Sequence, residues 1–175
     1  MSQVAYIGLG ANLGDAAATV TAAAEALVAL PATRLLGRSS LYRSAPVGYL
    51  DQPDFINAVA AVETELDAAA LLDGLFEIEA AFGRQRTFRN APRTLDLDLL
   101  LFGRERIGRP ELTVPHPRLA ERGFVLLPLA ELAPDLLIEG LGPLAELLAA
   151  CPGELPQRLS QSVPSSAAMP DVARH

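Results

Sequence analysis

The stretch Arg93-Thr94-Leu95-Asp96-Leu97-Asp98-Leu99-Leu100-Leu101-Phe102 sets two carboxylates two residues apart in an otherwise apolar run. A spacing of two is the strand period, because successive side chains alternate faces as the chain rises about 3.3 Å per residue. Asp96 and Asp98 therefore share one face with roots about 7 Å apart, and Leu95, Leu97 and Leu99 take the other. Two carboxylates converging on one spot repel each other, and a cation between them relieves the repulsion. Oxygen ligands on a rigid element favour a hard ion such as magnesium. With Arg93 just ahead of them, the acids suit a polyphosphate and its metal, the apparatus of phosphoryl transfer. The alternative is that in an arbitrary chain a D-x-D on a strand is more often a solvated face or an edge-strand device.

Upstream, Gly83 to Arg93 holds four arginines, a glycine and a proline. It reads as a long basic loop beside the acids, and loops of that length are functional or disordered. Further upstream, Gln3 to Leu9 reads as an apolar strand running into a tight turn at Gly10-Ala11-Asn12-Leu13-Gly14, with Asp15 as N-cap. Gly8, Gly10 and Gly14 miss the dinucleotide fingerprint by one residue, and no GK[ST] follows. Ala16 to Leu30 is helical and is stopped by Pro31. Thr33 to Arg43 and Phe55 to Leu66 read as strands, separated by a turn-rich loop. Asp67 caps a helix that runs to Phe82 and ends at Gly83.

Strand, helix, strand, strand, helix, strand is the split β-α-β unit. The predicted class is therefore α+β, an α/β sandwich with a ferredoxin-like core and additional C-terminal helices near Val125 to Leu132 and Pro143 to Ala150. A polar link joins Phe102 to Pro110. Residues 1–151 are read as one domain, and the Pro/Ser-rich residues 152–175 as a loose tail.

Composition narrows the function. A chain of 175 residues that is 50% hydrophobic and 20% charged makes one globular domain. A formal net charge of −7 argues against nucleic acid as partner, so an anion site must be a local arginine cluster. The chain has no lysine, which excludes a P-loop lysine and a Schiff base, although composition bias alone also accounts for it. One cysteine and two histidines exclude a disulfide and a histidine-rich metal site. No leader is read before Val4, and no apolar run approaches the ~20 residues of a membrane span. A cytoplasmic protein is expected, with a monomer favoured.

Several motifs, in order, resemble one family. They are Asn12-Leu13-Gly14; Tyr42 to Gly48 with Asp51 to Ala58; Gly83-Arg84; Pro92 to Asp98; and Leu112 to Pro117 with Arg122-Gly123-Phe124. The family is that of the folate-pathway enzyme 6-hydroxymethyl-7,8-dihydropterin pyrophosphokinase, and the likeness runs from about Val4 to Pro134. It implies transfer of the β,γ-diphosphate of ATP to the hydroxymethyl oxygen of the pterin, with release of AMP.

Carried over by position, Asp96 and Asp98 hold two magnesium ions, and Asp96 also orients the attacking hydroxyl. Arg84 and Arg93 neutralise charge on the transferred phosphates, while His116, Arg122 and Glu79 lie at ATP. Phe55 and Phe124 sandwich the pterin and Asn57 reads its edge. Backbone groups around Ser44, Pro46 and Val47 complete the pocket, and Gly48 lets the loop fold over it. Taken alone, Phe55 and Phe124 read as core residues, Asn57 as a strand-edge partner and Glu79 as a solvated helix residue. The chain departs from the family in having Asn90-Ala91 where Trp-Gly precedes the Pro-Arg-Thr motif. The competing readings are a non-catalytic ferredoxin-like ligand-binding module and another magnesium-dependent phosphoryl or nucleotidyl transferase.

Overall fold

The computed structural model describes residues 2–46, 50–83 and 95–159. Of the site residues singled out above, Val47, Gly48, Arg84 and Arg93 lie outside that set, as do the rest of the arginine loop through Thr94 and the expected tail beyond Leu159.

The first strand, β1, is Gln3–Ala11. It extends two residues past the expected end, so Gly8 and Gly10 lie in the strand and only Gly14, at φ +60°, serves the turn. Helix α1, Ala16–Ala26, starts as read, with the Asp15 carboxylate accepting from the Ala18 N–H at 3.2 Å. Its last part tightens into a 3-10 turn at Leu27–Ala29.

The expected strand Thr33 to Arg43 is two strands, β2 (Thr33–Arg38) and β3 (Tyr42–Ser44), both antiparallel to β4 (Phe55–Thr64). Arg38 faces Ala60 and Tyr42 faces Asn57, so four steps on one side match three on the other. Buried Ser39 takes up that extra residue: its N–H donates to the Val59 carbonyl, and its hydroxyl accepts from the Val59 N–H at 2.9 Å. A side chain thus replaces a ladder bond at a bulge.

Helix α2, Ala68–Ala81, is capped by Asp67 and stopped by Gly83 at φ +80°. Strand β5, Asp96–Phe102, follows. The link after Phe102 contains a hairpin of β6 (Ile107–Arg109) and β7 (Leu112–Val114) that its polar composition did not suggest. Helix α3 is Gly123–Leu132, β8 (Leu137–Ile138) pairs with β9 (Gly142–Pro143), and α4 is Leu144–Ala150. The segment expected to be loose also contributes a strand: β10, Gln157–Arg158, pairs with β3.

The main sheet runs β10-β3-β4-β1-β5 with β2 also on β4, antiparallel throughout. This is the split β-α-β order, its second strand broken in two. One face, carrying Ile7, Leu9, Ala58, Val62, Leu97 and Leu99, packs on α1 and α2. The other, carrying Val59, Leu100 and Leu101, packs on α3 and α4. Leu95, Leu97 and Leu99 lie together on the first face, as the strand period requires. Asp96 and Asp98 thereby look out on the α3 side.

Candidate active site

The ends of β1, β3, β4 and β5 that meet beside α3 enclose an open cleft. It measures about 760 Å³ with its open mouth included and is lined by Gly10, Ser44, Ala45, Phe55, Asn57, Asp96, Arg118, Glu121, Arg122 and Phe124. Antiparallel register builds its floor. Gly10 lies between Asn57 on β4 and Asp96 on β5, and Gly8 faces Asp98. Glycines opposite the acids keep the floor low: a Cβ on Gly10 would stand 3.1 Å from the Asn57 Oδ1. Two alternating strand glycines signal such a close approach, a reading the turn interpretation obscured.

Asn57 is buried, and its amide donates to the Ser44 hydroxyl at 2.7 Å, which joins β4 to the end of β3. Phe55 and Phe124 both line the cleft, one from the sheet and one from α3. Asp98 approaches Arg122, with Nη1 3.7 Å from Oδ2, and the Arg122 guanidinium lies 5.6 Å from the Phe124 ring centre. At the same end of the sheet, buried Asn12 donates to the Gln52 Oε1 at 2.7 Å and to the Pro53 carbonyl, tying the β1–α1 turn to the loop before β4.

His116 follows β7 and is held by two backbone bonds. Its N–H donates to the Leu100 carbonyl, and its Nδ1 accepts from the Arg118 N–H at 3.2 Å. With Nδ1 accepting, the ring proton sits on Nε2. Burial, then the nearby Arg122 cation, push its pKa down to about 4 against the opposing pull of Asp96. His116 is therefore neutral at pH 7 and offers one N–H.

Glu79 is not a solvated helix residue. It is 4% exposed on α2, and its Oε2 accepts from the Leu97 N–H at 2.7 Å. Leu97 stands between the two aspartates on an outer strand of the sheet, so Glu79 holds the acid-bearing strand from behind. Pro46 is described but is not among the cleft-lining residues, whereas Arg118 and Glu121, which the sequence reading passed over, are. They form an i,i+3 pair at 3.8 Å, a spacing that was available as a signal. Among the described residues, no group of three or more acidic, histidine or cysteine side chains is arranged to hold a metal.

The pattern that defines the 7,8-dihydro-6-hydroxymethylpterin-pyrophosphokinase (HPPK) family matches residues 6–134. A 2-amino-4-hydroxy-6-hydroxymethyldihydropteridine pyrophosphokinase of Pseudomonas aeruginosa is 50% identical over 159 residues, covering 91% of this chain and 98% of its own. The Bacillus subtilis protein of the same name is 46% identical over 132 residues, 75% of this chain and 79% of its own. In structure, the chain is similar to a Plasmodium falciparum HPPK-DHPS solved with pteroate, with a TM-score of 0.69 and 16% identity over 85% of this chain. It spans only 42% of that larger chain, and at this identity the likeness speaks for the fold alone. The motifs, the cleft and these relatives agree, and the chain belongs to the 7,8-dihydro-6-hydroxymethylpterin-pyrophosphokinase family.

Proposed function

We propose that the cleft brings ATP and 6-hydroxymethyl-7,8-dihydropterin together, with the pterin between Phe55 and Phe124 and the triphosphate at the side of Asp98, Arg122 and His116. The family's enzymes are pyrophosphokinases, and this chain is an ATP-dependent pyrophosphokinase of folate biosynthesis. The observation that carries the placement is one cleft lined by two phenylalanines, Asn57 and the first of the paired acids: Phe55, Asn57, Phe124 and Asp96 line the same space.

The donor set fits magnesium. Two carboxylates share one strand face, and among the described residues no third acidic, histidine or cysteine side chain joins them in a metal-holding group. Magnesium takes one or two carboxylates and completes its octahedron with phosphate oxygens and water. Asp96 and Asp98 would hold two such ions, which would supply positive charge to offset that of the ATP phosphates.

The chain's own residues do the rest by positioning. Asp96 accepts from the pterin hydroxyl and aims its oxygen at the β-phosphorus. A bond forms from that oxygen to the β-phosphorus, the bond from the β-phosphorus to the α,β-bridging oxygen breaks, AMP leaves with that oxygen, and the hydroxyl proton is released. Arg122 and the Nε2–H of neutral His116 donate to the triphosphate, and Arg84 and Arg93 are assigned the charge that grows on the transferred group. Glu79, assigned to ATP by position, also holds β5 through its bond to the Leu97 N–H. Backbone groups around Ser44, Pro46, Val47 and Gly48 are assigned to the rim of the pterin slot. We further assign the chain to the cytoplasm as a monomer whose catalytic domain runs on through β10 instead of ending near Cys151. Among the described residues no helix is long and apolar enough to cross a membrane.

Phosphorus NMR with ATP, magnesium and the hydroxymethyl pterin tests this. AMP and a pterin diphosphate are expected from the wild type, and both disappear in Asp96→Asn. ADP in place of AMP, or an unimpaired Asp96→Asn enzyme, overturns the assignment.

A further inference from the structure

The first turn of α3 carries half of the proposed site, because Arg122 is its N-cap and Phe124 its second residue. What backs this turn comes from the end of the described chain. A Cβ on Gly123 would lie 2.9 Å from Leu155 Cδ2 and 3.5 Å from the Glu154 carbonyl oxygen, so residues 154–155 lie directly over the glycine between Arg122 and Phe124. Gly123 is buried there although Leu155 itself is 48% exposed. The chain then passes through buried Pro156 into β10, whose Gln157 and Arg158 pair with Arg43 and Tyr42, and the Leu159 N–H donates to the Leu41 carbonyl at 2.9 Å.

The same segment reaches the far end of α3. Glu131, eight residues and about 12 Å of helix beyond Gly123, accepts from the Tyr42 hydroxyl at 2.7 Å and from the Ser40 N–H and hydroxyl at 3.0 Å. Arg158 stands 3.8 Å from the same carboxylate. Three residues of extended chain span about 10 Å, so the run from Leu155 to Arg158 covers most of the distance along α3 from Gly123 to Glu131. Tyr42 is opposite Asn57, and Ser44, its neighbour on the same face of β3, accepts from Asn57. Both ends of α3 are thus referred to the strands that form the opposite wall of the cleft.

We propose that residues 154–159 are a strap that positions the substrate slot: Leu155 over Gly123, with β10 and the Glu131 cluster at the other end, fixes the distance of Phe124 and Arg122 from Ser44, Asn57 and Phe55. This rests on the placement of the pterin between Phe55 and Phe124. Leu155 and Glu131 are positioning residues that do not touch substrate. Because the exposed Arg158 pair contributes little, the backbone pairing of β10 and the packing of Leu155 carry the effect.

The test measures the affinity for 6-hydroxymethyl-7,8-dihydropterin, in the presence of magnesium and a non-hydrolysable ATP analogue, by fluorescence titration. The proteins are the full chain, Leu155→Ala, a chain ending at Gly153, a chain ending at Leu159 and Phe124→Ala, each with its melting temperature. Leu155→Ala is expected to melt close to the wild type and to bind pterin about tenfold more weakly, about 1.4 kcal/mol, since it removes the side chain that lies over Gly123 behind Phe124. The chain ending at Gly153 shows at least the same loss, and the chain ending at Leu159 shows none. If the Gly153 chain does not fold, Leu155→Ala decides alone. Wild-type affinity in Leu155→Ala, while Phe124→Ala is weakened, overturns the strap and leaves the slot standing. Wild-type affinity in Phe124→Ala overturns the slot and the strap with it.

Discussion

Glu79→Ala removes the one described acceptor for the Leu97 N–H, and its cost can be worked from the geometry. Both residues are buried, and the bond is short at 2.7 Å. Stranding a buried N–H costs about 1–3 kcal/mol, and a hydrogen bond to a charged group contributes about 1.5–3 kcal/mol. We expect a loss of about 3 kcal/mol, which lowers the Tm of a 175-residue domain by roughly 6–12 °C. Glu79→Gln keeps an oxygen for Leu97, so it is expected to cost about 1 kcal/mol and roughly 2–4 °C. The catalytic effect has a different origin. Leu97 lies between Asp96 and Asp98, so slack at its N–H displaces both acids, and a small misplacement costs turnover by about tenfold or more in Glu79→Ala. Calorimetric melting with steady-state kinetics over a range of magnesium concentrations reads both effects. A Glu79→Ala protein that melts with the wild type refutes the reasoning. Equal losses in the alanine and glutamine variants would show that the bond to Leu97 is not what Glu79 contributes.

Asp98→Asn keeps shape and removes one charge from the proposed magnesium site, so kcat is expected to fall by at least about a hundredfold with the Tm nearly unchanged, each factor of ten being 1.36 kcal/mol; a near-normal rate with ATP and magnesium contradicts the metal assignment. Gly10→Ala brings a methyl to within 3.1 Å of the Asn57 Oδ1, so it is expected to raise the KM for the pterin more than that for ATP; an unchanged ratio of the two argues that the floor of the cleft is not the pterin side. His116, with a pKa near 4 in the folded chain and an ordinary 6.5 when unfolded, takes its proton first in the unfolded chain. Stability is therefore full above pH 6.5 and falls as the pH drops toward 4, by about 1 kcal/mol after discounting for the partial exposure of the ring. Urea unfolding at pH 4.5 and 7 should show that difference in the wild type and not in His116→Gln; the same difference in both proteins assigns it elsewhere.

The parts of this molecule legible in its sequence are those set by local periodicity. Asp96 and Asp98 announce a strand face because the alternation with Leu95, Leu97 and Leu99 is complete within five residues, and Asp15 and Asp67 announce helix starts because a cap acts over three residues. What escaped depends on partners far along the chain. Ser39 breaks the expected strand by substituting its hydroxyl into a ladder with Val59, twenty residues away. Glu79 resembles any helix glutamate until β5 is laid beside it. Gln157 and Arg158 have no strand signal at all, and they are extended because β3 offers them an open edge.

The candidate site follows the same division. Asp96 stands out by its strand spacing, whereas Phe55, Asn57 and Phe124 are singled out only by the family resemblance, and the four line one cleft. Arg118 and Glu121 were passed over because an exposed ion pair looks the same on any surface, and only the cleft wall gives it meaning. The two kinds of residue also answer differently to change. A residue legible from its local pattern carries its chemistry with it, so its loss should appear in kcat or in one substrate's affinity. A residue legible only from the fold acts through a strand or helix, so its loss should move several site residues together, as Glu79 does through β5 and Leu155 through α3.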